Sequence, residues 1–301
     1  MIEEIRGLGV RHIEVGYDLT VDLVPGLTET VKHGTISVTS VHAYCPVPAG
    51  APWGSPELFT PASLNPKTRD AALKHLKDTI LFAAGLGAKT VIIHGGRVDM
   101  DSMSARLADL AIQDRQFSPE YESIGTKLML QREKKAPKHT AVMKTFFEQI
   151  LPTANETGIN LAIEITPMLE SVPSEIELSA LLTGIGSPRL KYWHDIGHGQ
   201  VRQNLGSISV VRWLEKLQPH LAGMHVHDTA KPAFDHIAPG KGSIDFKALK
   251  RFTGPDMPAV FEPYPGMPAE ELLAGMAYVA ECWQEDWQEL RKPAINGITP
   301  P

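Results

Sequence analysis

Short apolar runs recur along this chain. Each follows a helical stretch that stops at glycine, and each leads into polar and turn residues. Gly85-Leu-Gly87 precedes Thr90-Val-Ile-Ile-His94, Thr157-Gly158 precedes Leu161-Ala-Ile-Glu164, and Gly184-Ile-Gly186 precedes Leu190-Lys-Tyr-Trp-His-Asp195. Glycine just past the last turn is the usual helix stop. Apolar runs this short, flanked by such stops, read as buried strands. Seven strands are expected, over 12–16, 36–44, 90–96, 159–166, 189–196, 221–227 and 259–264. Between them, Asn65-Pro66 caps and opens a helix to about Gly85. Ser174 with Glu177 reads as a capping box. Ser243 opens a helix through about Phe252, and a long C-terminal helix is expected over about 268–292.

Strands alternating with helices imply a parallel sheet, and a closed barrel of this kind has eight strands. The expected fold is a single-domain α/β TIM-type barrel over 1–301. Because the chain opens inside what reads as the first helix, the first strand is expected to be missing or atypical. The 97–140 region is too long for an ordinary βα loop. It reads as a helical insert over about 98–138 at the barrel mouth, with a Lys-, Arg- and Glu-rich helix over 124–135.

Charge narrows the function classes. The net charge is −6 and the sequence pI is about 6.1, which argues against a broad basic surface for nucleic acid. Two distant cysteines, Cys45 and Cys282, make no disulfide framework and fit a reducing compartment. No apolar stretch approaches the ~20 residues of a membrane span, so the expected location is the cytoplasm.

The strand ends carry the chemistry. In a parallel barrel the active site lies at the C-terminal ends of the strands. Here those ends hold His42, His94, Glu164, Asp195, the pair His225 and His227, and Glu262. Three carboxylates in one barrel mouth need a cation between them or strongly raised pKa values, and the histidines add neutral donors. A divalent metal site is the reading that satisfies both. Strand alternation puts Trp193 and Asp195 on one face and His194 on the other, toward the helices. It also puts His225 and His227 on the inward face.

The ordered set His42-Ala-Tyr, His94-Gly-Gly, Glu164-Ile-Thr, Asp195-Ile-Gly-His198, His225-Val-His-Asp228, His236-Ile-Ala-Pro-Gly-Lys-Gly242 and Glu262-Pro resembles the xylose isomerase-like barrel superfamily over about 2–265. That group joins sugar and sugar-phosphate isomerases and epimerases with the endonuclease IV type of DNA repair enzyme. The resemblance implies that Glu164, Asp195, His225 and Glu262 bind a metal. It places His198 and Lys231 against substrate, with His42, His94, His227 and His236 lining the pocket. His42, His94 and His236 also match positions that hold additional zinc ions in the endonuclease branch. That branch needs an Asp two residues before the last of these histidines, where this chain has Phe234, with Asp235 displaced by one. Glu14 matches a glutamate common near the pocket. Trp53 and Phe59 lie in a Pro- and Gly-rich loop that reads either as a lid or as packed surface.

The expected activity is a metal-dependent isomerase or epimerase of a sugar or sugar phosphate, working through an enediolate. Glu164 and Glu262 are its acid–base pair. Mn²⁺ is the expected ion, with Mg²⁺, Co²⁺ or Zn²⁺ as alternatives. The alternatives in function are a dehydratase or lyase on a polyol or keto-cyclitol, a zinc phosphodiesterase acting on abasic DNA, and a non-catalytic sugar-binding barrel. The expected partners are a small-molecule sugar and a second copy of the chain as a homodimer, with neither nucleic acid nor membrane.

Overall fold

The computed structural model describes residues 2–254 and 256–286. Its strands are β1 (His12–Val15), β2 (Ser37–His42), β3 (Thr90–His94), β4 (Asn160–Glu164), β5 (Leu190–Asp195), β6 (Leu221–Val226), β7 (Asp228–Ala230), β8 (Phe234–Ile237) and β9 (Ala259–Phe261). Seven of them form one parallel sheet in the order β1-β2-β3-β4-β5-β6-β9, curled into a near-closed barrel. No eighth barrel strand is present among the described residues, as expected, and β1 and β9 each pair with one neighbour. The pair β7 and β8 forms a separate antiparallel hairpin at the end of β6. The sequence pattern did not predict this hairpin.

The helices are α1 (Ile2–Gly7), α2 (Val24–Lys32), α3 (Pro66–Gly85), α4 (Ser104–Ile112), α5 (Pro119–Thr157), α6 (Glu175–Ile185), α7 (Ile196–Asn204), α8 (Val210–Leu217), α9 (Phe246–Leu249) and α10 (Ala269–Trp283). Their ends follow local chemistry. Asn65 caps α3, the Ser174–Glu177 box caps α6, and Gly158 and Gly186 end α5 and α6 in the left-handed conformation. The helix expected from Ser243 starts later. Asp245 caps α9, which is one turn followed by a 3-10 turn over Lys250–Phe252. The C-terminal helix ends at Trp283, and the predicted stretch beyond residue 286 lies outside the described residues.

The insert is α4 plus the N-terminal half of α5, and α5 is a single helix of 39 residues. It runs through Pro137 and Pro152, although proline removes a backbone donor and crowds the preceding turn. Packing sustains it. Met143, Phe146, Phe147 and Ile150 are buried against the sheet, while Leu128 joins Met103, Leu107, Leu169, Val201 and Leu205 in a second cluster. The insert is therefore continuous with a barrel helix. It is also tied to the loop after β4. Glu170, fully buried, accepts from Met103 N (2.5 Å) and Ser104 N (2.9 Å), and Arg202 makes a buried two-point ion pair with Glu175.

Strand alternation sorts the core. Val91, Ile93, Leu161 and Ile163 face the helices, while Ile92, Ala162 and Trp193 form a layer inside the barrel. Gly223 makes room for that layer, because a Cβ there would lie 2.2 Å from the Trp193 ring. The inward positions one step further along the strands carry the donors.

Candidate metal centre

Glu164 lies at the centre. Its Oε2 is 3.2 Å from His42 Nε2, 3.4 Å from His94 Nε2 and 3.5 Å from His225 Nδ1, and its Oε1 is 3.2 Å from His198 Nδ1. Asp195 adjoins it. Its Oδ1 is 2.9 Å from His227 Nε2, and its Oδ2 is 3.4 Å from His198 Nδ1 and 3.7 Å from His225 Nδ1. Glu262 approaches from the last strand, 3.2 Å from His225 Nδ1 and 3.9 Å from His236 Nε2. Although Glu262 lies one residue past β9, its N–H still donates to Val226 O (3.2 Å).

Three sets of side chains each bring one donor atom apiece within 4.8 Å of the others: Glu164, Asp195 and His225; His42, His94 and Glu164; and Asp195, His198, His227 and His236. Glu164 and Asp195 are shared between sets. The buried His198 Nδ1 and His225 Nδ1 have no hydrogen-bond partner, an arrangement that burial penalises unless something else occupies the site. The residues fit a divalent cation.

Local structure aims these groups. Asp195 is also the N-cap of α7, accepting from His198 N (2.7 Å), so the Asp-Ile-Gly-His spacing sets both side chains from one helix start. Gly197 gives His227 its space, since a Cβ there would lie 1.9 Å from the imidazole. His227 Nδ1 accepts from His236 N (2.8 Å), so its Nε2–H donates to Asp195. The rings of His227 and His236 stack with centroids 4.0 Å apart. His194 faces outward and bonds Tyr192 Oη through Nδ1 at 2.6 Å.

Electrostatics follow from this crowding. Burial works to raise the Glu164 carboxyl, but His225, His94 and His198 outweigh it and hold it well below the usual range. Burial likewise opposes ionisation of Asp195, and His198 and His227 overcome it. Burial disfavours the His94 imidazolium, yet Glu164 and Glu57 push it up to about 9. For His236, Asp235 and Asp195 overcome burial and also give about 9. Burial pushes His194 down to about 4, and Asp195 and Glu175 offset only part of it. Without a cation, the carboxylates favour protons on His94, His198, His225 and His236. A cation and those protons compete for the same charge.

Of the residues singled out in the sequence, the structure gathers His42, His94, Glu164, Asp195, His198, His225, His227, His236 and Glu262 into this cluster. Lys231 lies exposed between β7 and β8 and makes none of the described ion pairs. Phe234 is exposed, and Asp235 instead contacts His236 (3.2 Å). Three residues have roles that the strand pattern did not reveal. Glu14 Oε1 is 3.0 Å from His225 Nε2, with Ser40 Oγ donating to the other oxygen (2.6 Å). Glu57, from the loop after β2, is 3.8 Å from His94 Nδ1. Asp228 accepts from the N–H groups of Thr229, Gly240, Gly242 and Ile244, closing the loop that carries His236. Glu14 was singled out in the sequence by the family resemblance and Asp228 as part of the His225-Val-His-Asp228 motif, whereas Glu57 left no signal.

A parallel barrel with acid and imidazole donors at its C-terminal mouth defines a class. The family model for the xylose isomerase-like TIM barrel matches residues 2–254, and the chain belongs to that family. Solved structures agree in fold. A D-tagatose 3-epimerase-like protein is 18% identical with a TM-score of 0.66, covering 94% of this chain and 91% of its own. D-psicose 3-epimerase, solved in the presence of D-fructose, is 16% identical with a TM-score of 0.63, covering 94% and 92%. The IOLI protein with a bound zinc atom is 14% identical with a TM-score of 0.61, covering 94% and 91%. No curated protein sequence matches the chain.

Proposed function

We propose that the protein is a metal-dependent isomerase or epimerase of a sugar or sugar phosphate. The observation that carries this reading is Glu164, a buried carboxylate at the junction of two donor sets, beside imidazole nitrogens that make no hydrogen bond. Glu164, Asp195, His225 and Glu262 hold the cation. A divalent ion held there supplies Lewis-acid stabilisation of the negative charge that develops when a proton leaves the carbon next to a carbonyl. Glu164 and Glu262 project from β4 and from the end of β9, both in contact with His225. One removes the proton and the other returns it to the neighbouring carbon or the opposite face. His42, His94, His198, His227, His236 and Lys231 contact the hydroxyls. Sugar epimerases among the structural neighbours support the substrate class. A cytoplasmic homodimer completes the proposal.

Mn²⁺ is the ion favoured by the three carboxylates among the proposed ligands Glu164, Asp195, His225 and Glu262. Six imidazoles around the cluster favour zinc more than that set does alone, and the zinc-bearing neighbour points the same way. The two flanking donor sets favour a second reading, a zinc phosphodiesterase. The charge of −6 and the exposed Phe234 weigh against it.

Solvent-deuterium incorporation over a panel of ketoses and their phosphates tests the first reading. The wild type is expected to exchange an α-proton on at least one of them. Glu164→Gln and Glu262→Gln should each lower turnover by about 10²–10⁴. No exchange on any ketose, with water eliminated from a polyol or keto-cyclitol, makes the enzyme a lyase. Scission of an abasic duplex by the zinc-loaded protein at low salt establishes the second reading instead.

A further inference from the structure

We propose that Trp53 forms an outer carbohydrate subsite and that the substrate is a sugar bearing a second ring. The proposal rests on the sugar reading above. Trp53 is 68% exposed, in the 43–65 loop that joins β2 to α3. An exposed indole on a loose loop means little, but this loop is tied down on both sides of it. Val47 N donates to Leu19 O (2.8 Å) and Ala62 N to Gly95 O (2.9 Å). Phe59 stacks on His75 (centroids 5.0 Å) and meets Tyr44 edge-on (5.6 Å). A Cβ on Gly54 would lie 2.2 Å from Tyr17 O and 2.7 Å from Asp18 Cα, so the backbone next to Trp53 lies directly on the segment that follows β1.

Both neighbours of this anchor border the donor cluster. The Tyr17 ring stands edge-on to His42 at 5.3 Å, and Glu57, three residues after Gly54, reaches His94. The backbone beside Trp53 is thus held at the rim of the site, where binding pockets use aromatic faces against the apolar face of a ligand ring. The described ion pairs of Glu164, Asp195 and Glu262 are all with imidazoles. An inner polar site with an exposed aromatic at its rim fits a sugar that carries a second ring.

Titration calorimetry on the metal-loaded full chain tests this with D-fructose, D-fructose 6-phosphate and three glucosyl-fructoses: sucrose, turanose and isomaltulose. The best glucosyl-fructose is expected to bind at least tenfold tighter than D-fructose. Trp53→Ala should bring that ratio to within twofold of one, and Trp53→Phe should keep part of it. The proposal is overturned if no glucosyl-fructose is preferred, if folded Trp53→Ala keeps the preference, or if D-fructose 6-phosphate binds tightest. Exchange on D-fructose without a second-ring preference removes the subsite and leaves the epimerase reading intact. A Trp53-dependent preference without α-proton exchange on any sugar keeps the subsite and removes the epimerase reading. Binding of none of these sugars overturns the subsite together with the sugar reading.

Discussion

His225 and His227 differ in what their ring nitrogens already do. Both nitrogens of His227 are engaged, one by His236 N–H and the other by Asp195. His225 bonds Glu14 through Nε2 and leaves Nδ1 without a hydrogen-bond partner, amid three carboxylates. Asp195→Asn and His225→Ala are therefore expected to lose most bound metal and His227→Ala much less, as read by elemental analysis of the purified variants. The reverse order for the two histidines would invert the ligand assignment. Glu14 acts through His225, fixing its tautomer and ring orientation as outer carboxylates do for ligating histidines. Glu14→Gln should weaken metal affinity about 10–100-fold in a chelator competition, while the metal-free variant melts close to wild type.

At the scale of elements, alternation along each strand puts one side chain against the helices and the next inside the barrel. Trp193 is the largest residue of the inner layer and fills it because Gly223 on β6 carries no side chain. Gly223→Ala forces a methyl into that ring and should cost about 1–3 kcal/mol in denaturant unfolding, the range for overpacking. Gly85→Ala, at the open end of α3 with no atom within 4 Å of its added methyl, is the control. It should be neutral or gain up to about 1 kcal/mol. Equal losses at both positions would mean that the inner layer is not tightly packed. The seven strands, the caps of α3 and α6 and the glycine stops were legible from period, cap and stop residues alone. Helix α5 was not. The expected helix covered only 124–135, and the packing that carries α5 through its two prolines comes from residues distant in sequence.

For the whole molecule, the concentration of ionisable groups in the barrel mouth couples stability to pH. His94 and His236 titrate at about 9 in the folded chain against an ordinary 6.5. A raised imidazole contributes stability that is fully present below the unfolded value and is lost as pH rises through the folded one. The melting temperature of the metal-free protein should therefore fall between about pH 6.5 and 9.5. With metal bound, the cation replaces those protons, so binding releases protons and tightens across the same window. The loaded protein should then show no fall there. Differential scanning calorimetry of both forms checks this, and parallel profiles would disprove the exchange of protons for metal.

The order of chemical groups along the chain by itself determined the barrel, its seven strands and the set of side chains at the strand ends. Strand period, helix stops and capping act within a few residues of one another, and the C-terminal edge of a parallel barrel is defined by chain direction. Tertiary structure decided which donors meet. It brought Glu14 across the barrel to His225, 211 positions away in sequence. It also laid the Trp53–Glu57 loop against Tyr17 and His94, and gave His227 a backbone partner in the hairpin of β7 and β8. Contacts of that kind depend on how the curled sheet and its loops close in space, and no local period encodes them.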